Sequence, residues 1–451
     1  MKTTLIALFL LVILNGPGLS SAGQEPFGRG DQEIIHRAQE FVACLGRGDF
    51  ESATKYFDAT MKEMSPPQKM EQFWKDFQTQ VGAFKKQGDV RIEQATPYEV
   101  VFVTVEFSLV TLEAKVVFDR SKAIAGYFFV PKIGPAEFKP AAYVNRDSFR
   151  EVEVVIGRGE WALPGTLTLP KGASPFPALV LVHGSGPNDR DETVGPNKPF
   201  CDLAWGLASR GLAVLRYEKR TKAHGNRYTD KELLKSLTTK EETVDDAVAA
   251  VALLRMQSEI NPKKIFVLGH SLGGMLVPRI GAAEPGISGF IIMAGTTRPI
   301  EDLIVEQMTY IYSLDGQMTP EKQAKLDEFK AQAAKVKALQ PTDVSSDEFL
   351  FGVAPKYWLD LRGYDPAASA RRLRQPMLIL QGGRDYQVTL TDFDNWKKVL
   401  SGPSNIEFKL YPKANHLFIE GEGKSSPEEY GRPSHVAEAV VEDIVRWIKK
   451  R

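Results

Sequence analysis

The strongest constraint on this chain is a rhythm. Short, unbroken apolar runs recur at Ala178–Val182, Leu212–Leu215, Ile265–Leu268, Phe290–Met293 and Met377–Leu380. A run without polar alternation has no face to offer water, so it suits a strand covered on both sides. Stretches with helical apolar spacing separate the runs, for example Val244 to Met256 and Val436 to Ile448. Alternating strands and helices build a mostly parallel sheet with helices on both faces. Residues 151–451 are therefore expected to form one α/β domain. Residues 298–365, between the fourth and fifth runs, exceed a plain connection and carry helical patterns. A helical cap over the carboxyl edge of the sheet is expected there, with the aromatic residues Tyr312 and Trp358 weighed between packing and pocket lining.

Residues 23–130 follow a different grammar. Ile34, Ile35, Ala38, Phe41, Val42 and Leu45 recur at helical spacing, with Gly46 and Gly48 where that helix should stop. Met70, Phe73, Trp74 and Phe77 mark a second helix. Extended patterns follow at Val100–Phe107 and Tyr127–Val130. Helices first and strands after predict a small α+β domain with a curved sheet wrapped over helices. Pro131, Gly134, Pro135 and Pro140 then punctuate an aperiodic stretch, so 131–150 reads as a linker.

At the start of the chain, Lys2 precedes the apolar run Leu5–Leu14 and the small residues Ser20-Ser21-Ala22. These are the parts of a secretory signal peptide, expected at 1–22, and they predict export to the periplasm or the medium. The run is shorter than the ~20 residues a membrane span needs, and no cysteine follows it, so no stable membrane anchor is expected. Cys44 and Cys201 fall in different predicted domains and are expected to be buried and unpaired. Lys+Arg and Asp+Glu both number 57, so no basic excess points to nucleic acid. With no His-Glu-x-x-His and no cysteine cluster, neither a metal nor another cofactor is expected.

Gly269-His270-Ser271-Leu272-Gly273 directly follows the Ile265–Leu268 run and opens an apolar-periodic helix. Such a strand-to-helix turn presents Ser271 as a nucleophile and sets the backbone N–H of Leu272 beside the reacting carbonyl. Strand, pentapeptide and helix together resemble the α/β-hydrolase family, with Pro278 early in the helix as a departure. In that family a His-Gly turn after the first core strand supplies the second oxyanion donor. His183-Gly184-Ser185-Gly186-Pro187 stands at that place, and the resemblance implies the Ser185 N–H.

A serine hydroxyl needs a base, and the base needs a group to orient it. The family order of serine, acid and histidine implies Asp385, just past the last core run, as the acid. Asp392 and Asp394 read as surface or capping groups. Of the six histidines, His416 and His435 follow the acid. His416 lies in Ala414-Asn415-His416-Leu417-Phe418 after a strand-like segment. His435 sits at the start of the last helix, where a polar residue faces water, so His416 is the expected base. The charged run Asn188 to Glu192 reads as a solvated loop beside the oxyanion turn. Arg216 to Arg220 reads as a structural turn.

The resemblance covers residues 151–451, about two thirds of the chain. The His-Gly-Ser-Gly-Pro turn, the cap and an N-terminal block similar to nuclear-transport-factor-like domains together resemble bacterial carboxylesterases. They imply a serine esterase acting on a small-molecule ester. A prolyl-oligopeptidase-like peptidase shares the elbow and triad but has a propeller-length N-terminal domain that this chain lacks. Thioesterase and lactonase chemistry stay open on the residues. A non-catalytic binding protein would not need the complete set.

Overall fold

The computed structural model describes residues 29–451 apart from 96–97, 132–137, 226 and 403–404. The signal peptide expected at 1–22 lies outside the described residues. The described chain divides into two compact units, with the boundary between residues 137 and 138.

In the N-terminal unit, helices Arg29–Arg47, Phe50–Ala53, Ala59–Met64 and Pro67–Val81 come first. The short second and third helices start where Asp49 and Asp58 accept hydrogen bonds from the backbone N–H of Ser52 and Met61. An antiparallel meander follows: β1 (Phe84–Ala95), β2 (Tyr98–Phe107), β3 (Thr111–Phe118) and β4 (Ile124–Pro131), in that order across the sheet. Ile34, Ala38, Phe41 and Leu45 form the buried stripe of the first helix. They share one core with Trp74 and with Val101, Val103 and Val105 of β2.

The second unit holds an eight-stranded sheet. Its strands are β5 (Phe149–Ile156), β6 (Leu163–Pro170), β7 (Phe176–Val182), β8 (Ala213–Tyr217), β9 (Ile260–His270), β10 (Gly289–Met293), β11 (Met377–Gly382) and β12 (Ile406–Tyr411). Across the sheet they run β12-β11-β10-β9-β7-β8-β6-β5. Strands β7 to β12 are mutually parallel, and β6 and β5 complete one edge antiparallel. The unbroken apolar runs have a direct cause. In β7, Val180 and Val182 pack into one core with the helices Asp245–Arg255 and Leu390–Leu400. Leu179 and Leu181 pack into the other, with the helices Pro199–Ala208 and Glu438–Lys449. Because β7 has β8 on one side and β9 on the other, the chain reverses its direction of travel across the sheet there. The carboxyl ends beside such a reversal leave a crevice where ligands bind.

Part of the stretch expected as a linker packs on this unit. The Tyr143 hydroxyl donates to the Val436 carbonyl at 2.8 Å, and Arg210 donates to the Tyr143 carbonyl at 3.1 Å. Between β10 and β11 lie the helices Ile300–Ser313, Pro320–Ala338 and Pro355–Leu361, the expected cap. Trp358 is buried against Phe351, with its indole N–H on the Leu350 carbonyl at 3.0 Å. Tyr312 packs on Met308 and Leu326. Tyr312 therefore belongs to the interior of the cap, whereas Trp358, packed there, also borders a cavity with Met275, Ile300, Leu361 and Tyr364. Ile300, Leu361 and Tyr364 rest on Leu272, Met275 and Leu276, at the start of the helix Leu272–Ala283. Cys44 and Cys201 are both free and buried. Among the described residues no helix is long and apolar enough to cross a membrane.

Candidate active site

Strand β9 ends at His270, and the helix Leu272–Ala283 starts one residue after Ser271. Ser271 makes the turn at φ 53° and ψ −117°, in the left-handed half of backbone space that side chains avoid. Glycine permits the crossing. A Cβ on Gly269 would lie 2.3 Å from the Gly273 carbonyl oxygen, and one on Gly273 would lie 2.4 Å from that of Val182. The Ser271 N–H is fixed to the Met293 carbonyl of β10 at 2.9 Å. Leu272 opens the helix, and N–H groups of a first turn have no acceptor within it. Pro278 is accommodated inside this helix.

The His-Gly turn leaves the end of β7 and passes directly over the serine. A Cβ on Gly184 would stand 3.0 Å from Ser271 Cβ and 3.6 Å from its Oγ. Ser185, next in the turn, is exposed.

Asp385 follows β11 and is buried. Its Oδ1 accepts from the backbone N–H of Gln387 at 2.8 Å and of Val388 at 3.0 Å. Its Oδ2 faces His416 Nδ1 at 2.7 Å. His416 sits in the loop after β12, itself buried, with its ring 4.7 Å from that of His270, the residue before the serine. The structure thus gathers Ser271, Leu272, Gly184-Ser185, Asp385 and His416 at the carboxyl ends of β7, β9, β11 and β12. His435 is elsewhere, half-buried, with Nδ1 on Asp202 Oδ1 at 2.9 Å. It does not simply face water as its position predicts.

Two expectations are corrected. The run after the oxyanion turn is no solvated loop, because Asn188 and Glu192 are buried. Glu192 Oε1 accepts from the Gly184 N–H at 2.6 Å, and its Oε2 faces His270 Nδ1 at 2.8 Å. Lys219, also buried, donates to the Gly184 carbonyl at 2.8 Å and pairs with Glu242 at 3.3 Å. Asp392 is no surface group either. It is fully buried and accepts from the Thr296 and Thr297 hydroxyls, the Thr297 N–H and the Arg298 guanidinium. A buried carboxylate needs such partners. They come from residues near 297, about 95 positions upstream, which local pattern does not reveal.

The electrostatics follow from this packing. Burial pushes Glu192 up, but the His270 ring, His183 and the Gly184 N–H outweigh it, so the carboxyl lies below its ordinary range. Burial pushes His270 down, yet Glu192 and the His416 carbonyl leave it above the usual imidazole value. For His183 burial, with Lys219 beside it, outweighs the pull of Glu192 and Asp189 and drops it to about 4, so its ring is neutral at pH 7.

The fold and this constellation define the α/β-hydrolase class. Residues 175–423 match the family described as "Serine aminopeptidase, S33", which includes Ser271, Asp385 and His416, and the chain belongs to that family. Residues 38–127 match a second family, "Protein of unknown function (DUF3887)". The chain is similar to Esterase EstD of Thermotoga maritima, 39% identical over 425 residues that span 94% of this chain and 96% of that one. Solved structures resemble the chain more remotely. Est1E from Butyrivibrio proteoclasticus is 17% identical, covers 66% of this chain and 99% of its own, and superposes with a TM-score of 0.41. An esterase of Pyrococcus furiosus is 18% identical over 67% of this chain and 92% of its own, with a TM-score of 0.41. The family assignment rests on the sequence matches.

Proposed function

We propose that this protein hydrolyses carboxylic esters of small molecules through an acyl-enzyme on Ser271. The Asp385–His416 hydrogen bond of 2.7 Å, set beside a serine in a strained elbow, carries the reading. With its Nδ1–H donated to Asp385, His416 keeps the Nε2 lone pair for the serine proton. Ser271 Oγ then attacks the ester carbonyl, and the N–H groups of Ser185 and Leu272 receive the charge on its oxygen. The carbon–oxygen bond breaks, and the alcohol leaves with the proton from His416. Water repeats the sequence on the acyl group and restores Ser271. Similarity to Esterase EstD along nearly the whole chain supports an ester as substrate. A second reading, cleavage of aminoacyl amides, draws on the family description.

The two readings separate on a panel of p-nitrophenyl esters and aminoacyl p-nitroanilides. The proposal expects kcat/KM on the best ester to exceed that on any anilide by at least about 10²-fold, a margin of about 2.7 kcal/mol. Faster anilide cleavage would replace it with the peptidase reading. Export is also proposed, supported by the pattern of residues 1–22. Recovery of the protein solely from the cytoplasm of its host would contradict it.

A further inference from the structure

The catalytic cycle above leaves Glu192 and His270 without a task, although His270 adjoins Ser271 and Glu192 is bonded to Gly184, the neighbour of Ser185. Their side chains are 4–5% exposed and 2.8 Å apart. Burying such a pair destabilises a fold unless the geometry compensates. Glu192 also adopts φ 51°, a left-handed conformation that persists in a side-chain-bearing residue only when its surroundings enforce it.

The hydrogen bonds fix the protons. His270 Nε2 faces the His416 carbonyl oxygen at 3.0 Å, and a carbonyl only accepts, so Nε2 carries hydrogen. Glu192 Oε1 accepts from the Gly184 N–H at 2.6 Å. One further proton bridges His270 Nδ1 and Glu192 Oε2. The result is an unbroken chain: Gly184 N–H, Glu192, His270, His416 carbonyl. At one end is the turn that carries the Ser185 N–H, and at the other is the residue proposed as base. The serine follows the histidine in the middle.

Resting on the reading of Ser271 and His416 given above, we propose that Glu192 and His270 are positioning residues that hold the oxyanion turn and the base loop in register across the nucleophile. Lys219 supports the same turn from the other side through the Gly184 carbonyl, so Gly184 is gripped at both its N–H and its C=O. Neither Glu192 nor His270 need touch substrate. Their effect falls on the transition state, where a misplacement of about 1 Å reduces rate about 10²-fold, and substrate binding is left nearly unchanged.

The test compares Glu192→Ala, Glu192→Asp and Glu192→Gln in the full chain, with kcat and KM on a short p-nitrophenyl ester and with thermal unfolding. Glu192→Ala loses the clamp, and kcat falls about 10- to 100-fold with KM within about threefold. Glu192→Asp keeps the charge but is too short to reach both partners, and it loses about tenfold in kcat. Glutamine restores the chain: its amide oxygen accepts from Gly184, and its NH₂ donates to Nδ1 of a neutral His270 that keeps Nε2–H. It should therefore return kcat to within about threefold of the wild type. If Glu192→Ala does not fold, Glu192→Asp and Glu192→Gln decide the matter alone. Wild-type kcat in folded Glu192→Ala or Glu192→Asp would overturn the proposal, as would failure of folded Glu192→Gln to recover. Labelling by a fluorophosphonate, run alongside, keeps the premises apart. Label on a residue other than Ser271 would refute the nucleophile, whereas normal labelling of Ser271 with unchanged kcat in the aspartate variant would refute only the clamp.

Discussion

Asp385→Asn is nearly isosteric, and the structure dictates how it must fail. Oδ1 of Asp385 accepts from two backbone N–H groups, those of Gln387 and Val388. In the variant only the amide oxygen can fill that role, so the NH₂ takes the place of Oδ2 and points at His416 Nδ1. A donor there forces Nδ1 to accept and moves the imidazole proton to Nε2. The ring can no longer take the proton of Ser271. Recovering the productive tautomer requires flipping the amide, which leaves the Gln387 and Val388 N–H groups facing another donor in a buried site. Each unsatisfied donor costs about 1–3 kcal/mol. Together they come to about 2–6 kcal/mol, or about 30-fold to about 2 × 10⁴-fold in rate at about 1.4 kcal/mol per decade. Loss of the carboxylate opposite the imidazolium adds to this, so a fall in kcat of about 10³–10⁴-fold is expected, with KM nearly unchanged. Steady-state kinetics on p-nitrophenyl acetate, with circular dichroism to establish folding, gives the answer. A folded variant that loses less than about tenfold would refute the tautomer argument.

Other consequences concern stability. Asp392→Ala strips a half-buried Arg298 of a fully buried partner and should cost about 3–5 kcal/mol in urea unfolding, whereas exposed Asp394→Ala should cost under about 0.5 kcal/mol; equal effects would contradict the burial argument. Burial lifts Asp202 to about 6, against offsets from the Val436 N–H and His435. Its folded value lies above its unfolded one, so the native chain holds the extra proton between about pH 4 and about pH 6 and loses stability as pH rises through that window. Asp202→Asn should therefore gain on the wild type by up to roughly 3 kcal/mol between about pH 4 and about pH 7, and a pH-independent difference would rule this out. Trp358→Ala removes a cap-core side chain and should cost about 3–5 kcal/mol, lowering turnover of long and short esters alike; a selective change in chain-length preference would instead make the cavity that Trp358 borders part of the substrate pocket.

Much of this fold was legible because its signals are local. The apolar runs at 178–182, 265–268 and 377–380 are continuous for a reason that sequence carries: neighbours along each strand face different cores. The elbow was legible because its glycines, its strand and its helix are contiguous. What escaped was carried by distant partners. Asn188 to Glu192 has the composition of a solvated loop, and Glu192 is buried only because His270, 78 positions away, receives it. Asp392 looks like a helix-start carboxylate, and its partners Thr296 to Arg298 come from the far side of the cap. Trp358 and Tyr312 carried a helical stripe that favours packing in sequence; the cap's interior takes up Tyr312, and Trp358 both packs there and borders a cavity with Met275 and Leu361.

The central claim is a covalent acyl group on Ser271, and trapping it tests that claim most directly. Enzyme mixed with excess p-nitrophenyl acetate, quenched in acid within the first turnover and digested, should yield one acetyl group on the peptide that contains Ser271. The burst of p-nitrophenol should match the enzyme concentration, and Ser271→Ala should show neither adduct nor burst. An acetyl group on another residue, or undiminished turnover by folded Ser271→Ala, would contradict the account.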